Sequence, residues 1–72
     1  MNVNRFLVVI EQADSGYSAY SPDLPGCVAT GGSREEAEQR MAEAMQLHIE
    51  GLREDRLPIP ASRSSAEYIA VA

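Results

Sequence analysis

The sequence has almost none of the cross-linking residues that stabilise small domains. Its 72 residues include a single cysteine, Cys27, which has no disulfide partner within the chain. No spacing of cysteine and histidine suggests a structural zinc site, and no cofactor is expected. A chain of this length buries only about 60% of the surface of its unfolded state, and such cores usually depend on a partner subunit. We therefore predict one domain over residues 1–72 that forms a dimer or a tetramer.

Long apolar runs are absent as well. No run approaches the ~20 residues of a membrane span, and the first residues lack the apolar stretch of a signal peptide. A hydrophobic content of 44% with 24% charged residues is typical of an ordinary folded domain. These features predict a cytoplasmic protein without a membrane partner, in which the single thiol stays reduced.

Lysine is missing too: all six basic residues are arginine, against 11 acidic residues, and the net charge is −5. A free nucleic-acid binder usually carries the opposite excess, because neutralising phosphates dominates its affinity. The charge balance therefore disfavours direct binding to DNA and favours a basic partner. A local arginine patch would override this argument.

The first third of the sequence predicts an antiparallel meander. Residues 3–12 form a first strand, and turn residues at 13–16 lead to a second strand at 17–20. The first strand is apolar on both faces, which is typical of a central strand or of a contact between subunits. One face carries the candidate core residues Phe6, Val8 and Ile10, and the other carries the candidate oligomer contacts Leu7 and Val9. A third short strand follows at 27–30.

Two prolines stiffen the connection between the second and third strands, and Gly26 lets the chain turn out of it. A loop of fixed shape loses little entropy on association, and loops often carry binding sites. The same residues would also form a purely structural corner, and we weigh the two interpretations about equally. The candidate partner-binding residues are Tyr17, Tyr20, Pro22, Asp23, Leu24, Pro25 and Gly26.

A long amphipathic helix is predicted from residue 33 onward. Ser33 and Glu36 form a capping box, in which the serine hydroxyl accepts from the Glu36 N–H and the Glu36 carboxylate reaches back to the Ser33 N–H. Apolar residues then recur with helical spacing over about 20 residues and define one buried stripe. The stripe contains Ala37, Met41, Met45, His48, Ile49 and Leu52, of which Met41, Met45, His48 and Leu52 are candidate core residues.

The end of the sequence predicts one more strand. Pro58 and Pro60 prevent the helix from continuing, and residues 66–71 alternate as a strand does. The element order is therefore β-β-β-α-β. We predict an α+β fold with a single sheet of three antiparallel strands, a last strand added after the helix by a right-handed crossover, and the helix packed on one face.

Several short segments form a recognisable set. They are SPDLPGC at residues 21–27, Gly31, SREEA at 33–37, EAMQLHIEGL at 43–52 and PIP at 58–60. In this order and spacing they resemble the signature of the HicB-like antitoxin family of type II toxin–antitoxin systems, over residues 5–71. Gly32 and Ser33 stand where many relatives carry Asp and Thr, and the capping chemistry tolerates both changes.

The resemblance implies a partial ribonuclease-H-like fold and a non-enzymatic protein. Such a protein binds a small, basic HicA-type toxin, which cleaves mRNA with a catalytic histidine, and neutralises it by masking its active site. Many members also carry a C-terminal DNA-binding module. This sequence ends within its last predicted strand, so operator binding is not expected. The alternative is a stand-alone nucleic-acid-binding or regulatory module of the same fold without a toxin partner.

Catalysis is the weaker interpretation of the reactive side chains. The carboxylates available for two-metal nuclease chemistry are Glu11, Asp14, Asp23 and Glu67. Their turn and loop positions are more typical of solvated carboxylates. His48 has no predictable nucleophile beside it, and Cys27 is more typical of a small, half-buried residue than of a reactive thiol. We therefore predict no catalytic and no metal-binding residues.

Overall fold

Three short strands and one long helix follow one another in the structure, a computed structural model that describes residues 4–72. The elements are β1 (Val9–Ala13), β2 (Gly16–Tyr20), β3 (Val28–Gly31) and α1 (Arg34–Glu54). The strands form one antiparallel sheet in the order β1-β2-β3, and α1 packs on one face of it. The α+β class, the three-stranded meander and the long helix predicted from the sequence are confirmed.

The β1–β2 hairpin closes through a tight turn at residues 14–15, and its ladder ends at the pair of Val9 with Tyr20. Gly16 follows the turn with a φ of 143°. A Cβ at this position would lie 2.5 Å from the carbonyl oxygen of Gly31 on β3. Both the backbone conformation and the close approach therefore require glycine.

The first strand is shorter than the predicted residues 3–12, of which the first lies outside the described residues. Its ladder begins only at Val9, because β2 ends at Tyr20 and offers no partner to residues 4–8. The sheet order also places β1 at an edge, which corrects the expectation of a central strand. The other expectation for a strand with two apolar faces, a contact between subunits, stays a prediction.

The N-terminus of α1 lies directly against β3, which begins one residue later than predicted. A Cβ at Gly31 would lie 2.5 Å from the backbone nitrogen of Ala37 in the first turns of the helix. Ser33 caps the helix as expected, since its Oγ accepts from the Glu36 N–H at 3.1 Å. The Glu36 carboxylate accepts from the Gly32 N–H at 2.7 Å rather than from the Ser33 N–H.

The core lies between α1 and the inner face of the sheet. Its buried residues are Ala19, Leu24, Cys27, Met41 and Ile49, and the half-buried side chains packed against them are Phe6, Val8, Ile10, Ala29, Ala44, Met45, Leu52 and Ile59. Most of the residues placed in the core from the sequence therefore line its margin, and Met41 lies at its centre. His48 is half-buried and lies outside this cluster.

The helix ends at Glu54, four residues before Pro58, and its C-terminus forms a Schellman motif. The Arg56 N–H donates to the Arg53 carbonyl at 3.1 Å, and the Leu57 N–H donates to the Leu52 carbonyl at 2.8 Å. These two hydrogen bonds define the motif. Arg56 adopts a φ of 57°, in the position that glycine usually occupies. Pro58 then follows outside the helix.

The predicted last strand is not formed. Residues 57–72 contain no helix or strand, and the side chains of Tyr68, Ile69 and Val71 are exposed by 102%, 80% and 88%. Alternating apolar residues become a strand only beside another strand that accepts their hydrogen bonds. Residues 66–71 have no such neighbour within residues 4–72, so the prediction of a last strand is wrong for a single copy of the chain.

Candidate partner-binding site

The loop between β2 and β3 is built around a buried leucine. The Leu24 N–H donates to the Ser21 carbonyl at 3.2 Å, and the Cys27 N–H donates to the Leu24 carbonyl at 3.1 Å. These two turns direct the Leu24 side chain into the core, where it is completely buried. Leu24 therefore anchors the loop and cannot contact a partner, which corrects its place in the candidate set. Gly26 follows with a φ of 83°, in the left-handed region that glycine tolerates.

Asp23 holds a distant part of the chain. One carboxylate oxygen accepts from the backbone N–H groups of Arg63 and Ser64 at 2.8 and 2.9 Å, and the other accepts from the Ser64 hydroxyl at 2.9 Å. The N–H donors of Ser64 and Arg63 hold the pKa of this carboxyl below its ordinary value. The carboxylate is thus engaged within the chain. Forty residues separate the partners, and no sequence pattern indicated this contact.

The structure divides the remaining candidates between the two ends of β2. Tyr20 lies beside the loop and is 41% exposed, and the loop residues Pro22, Pro25 and Gly26 are exposed next to it. Tyr17 is half-buried near the hairpin turn, at the opposite end of the strand. Because side chains three positions apart on a strand point to opposite faces, Tyr17 and Tyr20 cannot contribute to one surface.

An apolar row crosses the outer face of the sheet beside the loop. Val9, Tyr20 and Val28 are direct cross-strand neighbours, and neighbours of this kind project from the same face. Val28 is 64% exposed. Leu7 lies two residues before Val9 and is half-buried, so the alternation of the chain places it on this face as well. We call these four residues the outer patch; the sequence-based candidates lacked Val28, which only the register reveals.

Negative charge lies on the solvent face of α1. The exposed glutamates of the helix are Glu35, Glu36, Glu38, Glu43, Glu50 and Glu54. Two of them form ion pairs one turn apart, Arg34 with Glu38 at 3.5 Å and Arg40 with Glu36 at 3.6 Å. These exposed pairs contribute little to stability. The uncompensated glutamates account for much of the net charge of −5.

Metal-ligating side chains do not cluster in residues 4–72. Within this part of the chain, no group of three or more His, Cys, Asp or Glu residues could hold a metal ion. Burial raises the pKa of the Cys27 thiol, which disfavours the thiolate that nucleophilic chemistry needs. The same residues contain no helix with the length and apolar character that crossing a membrane requires.

A family of antitoxins matches almost the whole of the described chain. The matching sequence profile, that of the HicB-like antitoxin of a bacterial toxin–antitoxin system, covers residues 6–71. The chain belongs to the HicB-like antitoxin family. The outer patch, the loop and α1 all lie within the matched residues, so the features of this site are features of the HicB-like region.

Individual relatives agree with this assignment. An uncharacterised 14.9 kDa protein from the rep-hol intergenic region of Haemophilus phage HP1 is 39% identical over 62 residues, which cover 86% of this HicB-like chain and 47% of the phage protein. A UPF0150 protein of Helicobacter pylori is 40% identical over 57 residues, or 79% of each chain. A UPF0150 protein of Thermoplasma acidophilum is 35% identical over 68 residues, or 93% of this chain and 96% of the relative. The chain therefore spans about half of the phage relative and nearly all of the Thermoplasma one.

Proposed function

We propose that this HicB-like chain is an antitoxin that binds a small, basic HicA-type toxin and masks the active site with which the toxin cleaves mRNA. The observation that carries the proposal is the match of the antitoxin family over residues 6–71. The chain acts by binding, without chemistry of its own, as one domain with a partial ribonuclease-H-like framework. Its place of action is the cytoplasm, where the toxin meets mRNA and Cys27 stays reduced.

The outer patch is the surface that we assign to the toxin. It combines an exposed aromatic residue, Tyr20, with the exposed Val28, and aromatic anchors are enriched among residues that dominate binding energy. The adjacent loop is fixed from beneath by the buried Leu24, so Pro22 and Pro25 are presented in a defined shape. A surface that is already ordered loses less entropy when it binds.

Electrostatic attraction supports the same partner. The chain carries a net charge of −5, and a protein that binds RNA phosphates carries a positive surface. Opposite net charges accelerate encounter and select against partners of the same sign. Glu11, two residues along β1 from Val9, is exposed on the outer face and places a carboxylate next to the outer patch.

The test is co-expression with any small, basic, histidine-containing protein that an adjacent reading frame encodes, followed by pull-down and by rescue of growth. Val28→Arg places a cation in the outer patch and is expected to weaken toxin binding at least about tenfold, because it adds a like charge against a basic surface. Leu47→Arg is the matched control. Leu47 is 69% exposed on α1, against 64% for Val28, and the same substitution there is expected to leave binding and rescue unchanged.

Each outcome assigns the outer patch differently. Loss of binding by Val28→Arg alone supports the toxin interface. Loss of self-association by the same variant, with toxin binding intact, would assign Leu7 and Val9 to a contact between subunits instead. Absence of binding and rescue by the unsubstituted chain would contradict the antitoxin proposal, and RNA binding in its place would favour the stand-alone module.

A further inference from the structure

A groove separates β1 from the helix. Since α1 lies mainly across β3 and β2, the inner side of the first strand is only partly covered, and a groove of about 770 Å³ runs between the strand and the helix. Its apolar walls are Phe6, Val8 and Ile10 on the strand side and Ala42, Met45 and Ile49 on the helix side. The groove thus exposes the side of the core that a fourth strand would close.

The strand that bounds this groove also lacks a neighbour on one side. β1 is an edge of the sheet, and residues 4–8 before it pair with no strand in the described chain. Edge strands of this kind, with apolar residues and free backbone N–H and C=O groups, are templates for pairing with another strand.

The same chain carries an unpaired strand-like segment, residues 66–71, which we call the C-terminal arm. Its sequence alternates as that of a strand does, and extended backbone would place Glu67, Ile69 and Val71 on one side and Tyr68 on the other. Tyr68, Ile69 and Val71 are at least 80% exposed. No hydrogen bond joins the arm to any other residue of the described chain.

The arm starts from a fixed point. Ile59 packs against the core, and Arg63 and Ser64 are bound by the Asp23 carboxylate. After this attachment, residues 65–72 are all exposed. The longest dimension of the molecule is 46 Å. The radius of gyration is 13.7 Å, whereas a compact chain of this length has a value of about 11 Å.

We propose that the C-terminal arm of one copy adds to the β1 edge of a second copy and inserts Ile69 and Val71 into its groove, while the second copy does the same in return. Six residues of extended chain span about 20 Å, which matches the length of edge from Asn4 to Ile10. Strand addition satisfies the backbone groups of the arm and of the edge together.

A second copy of the chain accounts for both unpaired parts of the molecule, the edge of β1 and the C-terminal arm. Every molecule carries one arm and one groove, so a two-fold symmetric exchange closes both grooves and pairs both arms. An unrelated protein in the groove would leave the arm exposed. The groove wall carries Arg34, Glu38 and Arg53. Arg34 is already paired with Glu38 at 3.5 Å, so Arg53 is the cation of the groove that remains for Glu67, the one charge on the arm.

The experiment measures the mass of the intact chain by sedimentation equilibrium at micromolar concentrations. The unsubstituted chain is expected at twice its 7.8 kDa. Ile69→Pro removes a donor from the arm, and Ala42→Arg fills the groove at an exposed helix position; each is expected to raise the dissociation constant at least about tenfold. Ile69→Val and Gln39→Arg, the latter at an exposed site of α1 outside the groove, are the matched controls and should remain dimeric.

Mixing the two disrupted variants separates strand exchange from other modes of association. Ile69→Pro keeps an intact groove and Ala42→Arg keeps an intact arm, so a mixed dimer retains one of the two exchange contacts. The mixture is therefore expected to associate more strongly than either variant alone. No such gain in the mixture would overturn the exchange.

Other outcomes also overturn the proposal. A monomer whose arm amides are protected from hydrogen exchange would show that the arm closes its own groove. A monomer whose arm amides exchange freely would show that neither its own arm nor a second copy occupies the groove. A dimer that survives both variants would use another surface, such as the outer patch. None of these measurements includes the toxin, so the inference can fail independently of the proposed antitoxin function.

Discussion

Among single residues, Asp23 shows most clearly how tertiary contacts assign a role. The sequence places it between two prolines in a loop, as a candidate for binding a partner or as a solvated carboxylate. In the structure it accepts hydrogen bonds from Arg63 and Ser64 and fixes the point at which the C-terminal arm leaves the domain. Its neighbour Leu24 is completely buried, although the sequence gives both residues similar surroundings.

The attachment at Asp23 is expected to depend on pH. Its folded pKa lies below the ordinary value of 3.8, first because of the Ser64 N–H and then the Arg63 N–H. The stabilisation is therefore complete above the ordinary pKa and is lost as the pH falls through the lower, folded pKa. The amide chemical shifts of Arg63 and Ser64 should titrate together with a midpoint below 3.8. Asp23→Asn should remove this transition, and a midpoint at or above the ordinary value would contradict the assignment.

Ser21 offers a second prediction for a single side chain. It is 4% exposed, and its hydroxyl oxygen has no hydrogen-bond partner among the described residues. A buried hydroxyl without a partner destabilises the fold. Ser21→Ala is therefore expected to raise the free energy of unfolding by about 1 kcal/mol in urea denaturation. The exposed Ser65 provides the control, since Ser65→Ala should change stability by less than about 0.5 kcal/mol, and a clear loss on replacing Ser21 would contradict the prediction.

At the scale of elements, local signals were sufficient for the helix and insufficient for the strands. The cap at Ser33 and the apolar stripe predicted the position of α1, because capping and helical periodicity act between residues three and four apart. The termination by Arg56 in a left-handed conformation was missed, because glycine is the usual signal for that motif. The limits of β1 depended on where β2 ended, which no local pattern specifies.

The packing of α1 on β3 gives a prediction at this scale. Gly31→Ala should lower the free energy of unfolding by about 1–3 kcal/mol, because the new Cβ would meet backbone atoms of Ala37 at 2.5–2.9 Å. The adjacent Gly32 is the control, where the nearest atom to a Cβ is a Glu36 carboxylate oxygen at 3.6 Å. Gly32→Ala should change stability by less than about 0.5 kcal/mol. Equal effects of the two substitutions in thermal or urea unfolding would show that the close approach of Gly31 to Ala37 does not require glycine.

For the whole molecule, the proposed strand exchange predicts that stability depends on association. A dimer that forms only from folded chains shifts unfolding to higher temperature as the concentration rises. The melting temperature of the unsubstituted chain is expected to rise by about 3–5 °C for each tenfold increase in concentration. Ile69→Pro should melt at a temperature independent of concentration over the same range. Differential scanning calorimetry distinguishes the two, and a constant melting temperature for both would contradict strand exchange.

The amino-acid sequence by itself determined the family, the acidic charge, the meander and the helix, because each rests on composition or on residues close together in the chain. Only the tertiary structure decided which loop residues are buried or hydrogen-bonded and whether the last predicted strand forms. Leu24 became core, Asp23 became an attachment for Ser64, and Val28 joined the outer patch through the register of the sheet. Residues 66–71 carry a strand pattern, but a strand forms only where an edge accepts its hydrogen bonds, and that edge is a property of the assembled structure.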